Sequence, residues 1–145
     1  MHARRRADGY ANALREAGVT ARPDWIVRAG FKDGDGYRAM KKRRTVRPKI
    51  DAVFAANDPA AIGAMKAIWE AGLRIPEDIA IVGAGDITFG DLLRVPLTTV
   101  SWSRDEQGQQ AAELILSRIG PKPGPKFRRV IIPPTLVVRK SCGAA

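Results

Sequence analysis

Residues 51–100 constrain the fold more than any other stretch of this chain. They read DAVFAANDPAAIGAMKAIWEAGLRIPEDIAIVGAGDITFGDLLRVPLTTV. A short apolar run, Ala52 to Ala56, ends at Asn57-Asp58-Pro59. An apolar-periodic segment follows, with Ile62, Met65, Ile68 and Trp69 on one stripe, which predicts a helix. Asn57 or Asp58 supplies its cap, and Pro59 sits where a first-turn proline is tolerated. Gly72 ends the helix and Pro76 prevents its resumption. A second run, Ile79 to Val82, is apolar on both faces, as strands of parallel sheets are. It exits at Gly83-Ala84-Gly85-Asp86. Strand exits are where open α/β sheets bind ligands, so this strand–helix–strand unit points to small-molecule binding rather than catalysis.

The flanking sequence extends the alternation. Residues 3–17 read as a helix with Tyr10, Ala13, Leu14 and Ala17 on one face, closed by Gly18. Trp25 to Val27 reads as a strand that exits at Ala29-Gly30-Phe31. Asp33 or Asp35 is placed to cap a helix over 34–44, and Val46 to Lys49 is a loop containing Pro48. Leu97 to Ser101 is a further strand. Residues 104–119 form a helix opened by the capping box Ser103-x-x-Glu106. Ala111, Ala112, Ile115, Leu116 and Ile119 are its face for burial, and Gly120-Pro121 stops it. A linker, Pro121 to Lys126, precedes short strands at Val130–Ile132 and Leu136–Val138, separated by Pro133-Pro134. Residues Ser141 to Ala145 read as a frayed tail. About four helices interleaved with four to six strands make an α/β fold with a mainly parallel sheet flanked by helices.

Composition narrows the function class. At 145 residues and 45% hydrophobic content, the chain can build one domain with a real core. No apolar run approaches the roughly 20 residues of a membrane span, and MHARRRADGY lacks the apolar region of a signal peptide. Cys142 is the one cysteine, so there is no intrachain disulfide and no cysteine-rich metal site. A cytosolic protein is the default expectation. The formal net charge of +10 is partly clustered, in Arg4-Arg5-Arg6 and Lys41-Lys42-Arg43-Arg44. These clusters read as a solvated helix end and a solvated loop, or as contacts to nucleic acid. No aromatic residues interleave them and no helix-turn-helix or zinc-finger spacing accompanies them, which favours the first reading. Catalysis has little support. His2 is the one histidine, no P-loop or GxGxxG follows a strand, and nothing supplies a nucleophile for the carboxylates of Asp86 and Asp91.

Taken in order, several segments resemble the effector-binding domain of lactose-repressor-type (LacI/GalR) transcriptional regulators. They are Asp51 to Gly83, Pro96 to Val100, the helix with Gly108 and Ala111-Ala112-Glu113-Leu114, and the ending from Pro133 to Cys142. Arg6-Ala7-Asp8-Gly9-Tyr10 and Gly36-Tyr37-Arg38-Ala39-Met40 fit the same pattern. The resemblance implies a periplasmic-binding-protein-like fold of type I. In that scheme residues 1–101 belong to the C-terminal subdomain, 102–134 cross to a remnant of the N-terminal subdomain, and 135–145 return. Family members are much longer and begin with a helix-turn-helix head and a hinge, so the chain is expected to start inside the second subdomain. The expected function is effector binding and dimerisation for a cytoplasmic regulator, with no cofactor, no membrane and no catalysis, and with operator DNA reached through the head. A fragment of a periplasmic-type sugar-binding protein of a transport system is the alternative. The missing signal peptide and the PPTLVVRKSC ending favour the regulator. With so little of the other subdomain present, the helix over 104–119 is expected either to oligomerise through its apolar face or to redock it.

The resemblance also implies a site. Arg6 matches an arginine that grips ligand hydroxyl or carboxylate groups, and a guanidinium fork suits such acceptors. It is also one of three adjacent arginines that solvent alone can satisfy. Phe31 matches an aromatic that stacks on the ligand ring, or else is core. Asn57 can donate and accept, as sugar recognition requires, and can cap the helix at the same time. Asp58 reads as cap or structural. At the next strand exit Gly85 stands where family members carry a ligand-binding aspartate, with Asp86 one place later. Trp102 stands at a polar contact position, where it either stacks on a ring or packs at the crossover. These two departures put a standard sugar effector in question. Ile62, Leu92 and Leu93 match the family's dimer surface, or else are ordinary core.

Overall fold

The computed structural model describes residues 2–45, 49–119 and 128–144. The expected loop at Val46–Lys49 lies largely outside these residues, as do the helix stop at Gly120-Pro121 and the linker to Lys126.

Helix α1 spans His2–Glu16. Its half-buried stripe is Arg6, Ala7, Tyr10, Ala11 and Leu14, while Ala13 and Ala17 face solvent, so the stripe is rotated from the expected one. Gly18, at φ +76, closes the helix as Val19 N–H reaches the Leu14 carbonyl (2.8 Å). Trp25–Val27 is not a strand. Pro23–Trp25 forms a 3-10 turn, and Ile26 and Val27 are 41% and 46% exposed with no ladder to join. Helix α2 follows over Asp33–Arg44. Neither expected aspartate occupies its cap position. Lys32 does, and Asp35 reaches back from the third helical position to accept the Lys32 backbone N–H (3.1 Å).

Strand β1 (Ala52–Phe54), helix α3 (Asp58–Trp69) and strand β2 (Ala80–Ala84) form the unit read from the sequence. Asn57 is the N-cap, accepting Ala60 N–H at 2.9 Å. The end of α3 is a Schellman closure: Gly72 takes φ +71, and Leu73 N–H bonds the Ile68 carbonyl (3.2 Å). In the following turn the Arg74 guanidinium and backbone N–H hold the Asp78 carboxyl at about 2, below its ordinary 3.8. Strand β3 (Thr98–Ser101), helix α4 (Arg104–Ile119) and strand β4 (Thr135–Val137) complete the chain.

The sheet order is β1-β2-β3-β4, with the first three strands parallel and β4 antiparallel to β3. Register pairs Val53 with Ile81, Gly83 with Thr99 and Val100 with Leu136. The return strand thus makes the sheet mixed. Val130–Ile132 is not a strand; the ladder starts only at Thr135, after two prolines that have no N–H to give. The core lies between α3 and the sheet, where Met65, Ile68, Ile81 and Leu97 are fully buried. Helix α2 packs on α3 and adds Met40 to the same core. The approach is close because a Cβ at Gly36 would meet the Ala60 carbonyl and one at Gly63 the Asp33 carbonyl.

Two ends behave differently from expectation. The face of α4 expected to be buried is open, with Ile115, Leu116 and Ile119 at 61%, 63% and 74% exposed, so the helix has not redocked. The capping box is also absent. Ser103 takes φ +46 rather than the extended conformation an N-cap needs, and Gln107 Nε2 instead bonds the Trp102 carbonyl (2.6 Å). The tail is docked rather than frayed. Ser141 is fully buried, accepts Thr98 N–H (2.8 Å) and donates to the Ile81 carbonyl (2.7 Å), bridging β2 and β3.

Candidate functional site

The three parallel strands β1, β2 and β3 end at one end of the sheet, and a cleft lies there. It encloses about 390 Å³, within the usual range for a small-ligand site. Helix α1 brings Arg6, the segment before α2 brings Phe31, the α3 cap brings Asn57, and the end of β3 leads into Trp102. Four of the five candidate ligand residues therefore line one cavity. The Arg6 guanidinium stacks over the Trp102 ring at 4.9 Å, and its Nη1 donates to the Ala56 carbonyl (2.6 Å). Phe31 is 49% exposed, a ring face open to the cleft rather than a core side chain. Asn57 is committed at both ends: besides capping α3, its Nδ2 donates to the Phe31 carbonyl (2.7 Å) and so ties the aromatic segment to the helix.

The structure separates Asp86 from this group. Its carboxylate accepts Arg139 Nη2 (2.9 Å), and it is not among the lining residues. Gly85 at φ +140 and Asp86 at φ +50 bend the backbone so that the carboxylate turns toward the tail segment. Asp58, beneath the cleft, is 1% exposed. Its Oδ1 accepts the Thr99 hydroxyl (2.6 Å) and its Oδ2 accepts Ile87 N–H (2.8 Å). Gly83 leaves the room this carboxylate occupies, since a Cβ there would meet Oδ1. No cluster of His, Cys, Asp or Glu able to hold a metal ion occurs among the described residues. No described helix is long and apolar enough to cross a membrane.

Comparison with known proteins places this geometry. Residues 1–142 match the periplasmic binding protein-like domain family. The chain belongs to that family. It is similar to the matching domain of LacI-family transcriptional regulators. The HTH-type transcriptional repressor PurR of Haemophilus influenzae (strain PittEE) is 38% identical over 141 residues, 96% of this chain and 42% of that repressor. The domain thus spans less than half the length of such curated relatives. A LacI-family transcriptional regulator from Sanguibacter keddieii superposes with a TM-score of 0.86 at 33% identity, covering 96% of this chain and 52% of that one. The transcriptional regulator CelR, solved as a cellobiose complex, superposes at 0.84 with 32% identity, covering 94% and 41%.

Sequence reasoning missed one charged member of the lining. Arg104, the first residue of α4, reaches back so that its Nη2 donates to the Gly85 carbonyl (2.8 Å) and to the Asp86 carbonyl. Its place directly after Trp102-Ser103 is the signal that was available, because a side chain leaving the exit of β3 must pass the neighbouring exit of β2. The candidate dimer residues lie on α3 and the β2–β3 loop and do not line this cleft. Leu92 is 81% exposed, Ile62 is half-buried, and Leu93 packs against the core.

Proposed function

We propose that this domain binds a small-molecule effector, a sugar or nucleoside-like compound, in the cleft at the strand exits. In the whole regulator that binding controls operator DNA held by a helix-turn-helix head. The observation that carries the reading is the convergence of Arg6, Phe31, Asn57 and Trp102, from four separate parts of the chain, on one cavity. Phe31 and Trp102 offer flat faces to a ring, and Arg6 offers directed N–H groups. Asp86 fixes the loop through Arg139 instead of touching the ligand in the state described. The cellobiose complex of CelR supports a sugar-sized ligand, and the repressor relatives favour a cytoplasmic regulator over a transport protein and over an enzyme.

In this reading residues 1–101 and 135–145 form one lobe and 102–134 the crossover, an arrangement supported by the pairing of β4 with β3. Two copies pair through Ile62, Leu92 and Leu93, for which the exposure of Leu92 is the supporting observation. A thermal-shift screen with cellobiose, ribose, nucleosides and the anionic counterparts glucose 6-phosphate, glucuronate and adenosine monophosphate tests the effector role. A ligand at a hundredfold excess over its Kd adds about 2.7 kcal/mol, so the melting temperature should rise by several degrees. Arg6→Ala should abolish the rise. A flat response to the whole panel sinks the reading.

A further inference from the structure

The cleft offers many hydrogen-bond donors and few side-chain acceptors. Asp58, the one carboxylate in its lining, is 1% exposed and has each oxygen engaged, with Thr99 and with Ile87 N–H. The Asn57 carbonyl oxygen serves Ala60 N–H, and its amide serves the Phe31 carbonyl. Asp86 is bound to Arg139. Arg6 and Arg104 each commit one terminal nitrogen to backbone carbonyls. Among the described residues, no protein acceptor is recorded for their remaining N–H groups. A guanidinium carries five N–H donors and no acceptor.

Sugar hydroxyls both donate and accept, so a site for a neutral sugar needs accessible acceptors to take the hydroxyl protons. This lining supplies two positive charges, one of them stacked on Trp102, and the open ring of Phe31 instead. We propose that the effector is a ring compound bearing a carboxylate or phosphate group, its ring against the open face of Phe31 and its anion held by Arg104 and by Arg6, which stacks on Trp102. The inference rests on the cleft being an effector site and specifies which class of ligand that site selects. Charge-assisted N–H···O⁻ bonds are about twice as strong as neutral ones, which makes the anion the discriminating group.

Calorimetric titration of the full chain with matched pairs tests this: glucose against glucose 6-phosphate, glucose against glucuronate, and adenosine against adenosine monophosphate. In at least one pair the anion should bind tenfold or more tighter than its neutral partner. Arg104→Gln, a change at an exposed side chain, should remove most of that gap, and Arg6→Gln gives a second, independent arm. Arg118→Gln, at the far end of α4, should leave the gap unchanged and so exclude general attraction to a basic chain. Equal or tighter binding of the neutral members overturns the inference while leaving the effector role intact. An anion preference that survives both cleft variants places the anion elsewhere and also overturns it. If no member of any pair binds, the effector role falls, and this inference with it.

Discussion

Asp58 accepts two donors, the Thr99 hydroxyl at 2.6 Å and Ile87 N–H at 2.8 Å. Hydrogen bonds to charged groups contribute about 1.5–3 kcal/mol each, and a buried donor left unpaired costs about as much as the bond was worth. Asp58→Ala should therefore lower stability by about 3 kcal/mol or more in urea unfolding. Asp58→Asn, which keeps the shape and one acceptor oxygen, should cost clearly less. A loss below about 1 kcal/mol for the alanine variant would show that water takes over both donors, which the burial of this site argues against. The sequence revealed Asp58 as structural but not its partners, because Thr99 lies 41 residues away and helical or strand spacing carries no information across that distance. Asp86 shows the same limit. A carboxylate at a strand exit suggests ligand contact, yet Arg139, 53 residues on, claims it.

Among the elements, the contact of α2 with α3 is set by two glycines rather than by interdigitated side chains. A methyl group at Gly63 has nowhere to go, because the facing atoms are the Asp33 carbonyl and the Tyr37 N–H, both fixed backbone. Overpacking of this kind costs about 1–3 kcal/mol, so Gly63→Ala should lower the thermal midpoint despite alanine's better helix propensity. Gly108→Ala, on an open face of α4 with nothing near it, should do the opposite. Calorimetric melts of both variants check the pair, and a stabilised Gly63→Ala would mean that the helices stand further apart. The unit β1–α3–β2 was legible because its cap, its glycine stop and its apolar periods agree with one another. Trp25–Val27 misled because β-rich composition does not make a strand without a neighbouring edge, and the ladder ends at β1. Ser103 misled because a capping box specifies residue types, whereas the chain here turns through positive φ to carry Trp102 into the cleft.

For the whole molecule, the open face of α4 dominates solution behaviour. Ile115, Leu116 and Ile119 lie on one side of the helix and are all exposed. Apolar side chains grouped in this way favour association. Light scattering after size exclusion should show mass rising with concentration beyond the pair formed through Ile62, Leu92 and Leu93, and Ile115→Glu with Leu116→Glu should remove that further rise without altering the far-ultraviolet circular dichroism. A strictly monomeric wild type at high concentration would count against this. The topology was legible as far as strands joined by helices imply parallel neighbours. The antiparallel return of β4 was not, since a short strand after two prolines carries no mark of its direction.

The seryl clasp between β2 and β3 bears on how the protein is born. Ser141 closes onto Ile81, 60 residues upstream, and onto Thr98, 43 residues upstream. While the polypeptide is still emerging from a ribosome, β2 and β3 can pair, but the Ile81 carbonyl and the Thr98 amide wait until synthesis has passed residue 142. Contacts of such long sequence separation form late and slowly. The centre of the sheet is thus sealed by a segment translated well after both strands, and a nascent chain stalled short of it would hold the right strands in the right order with the bolt undrawn.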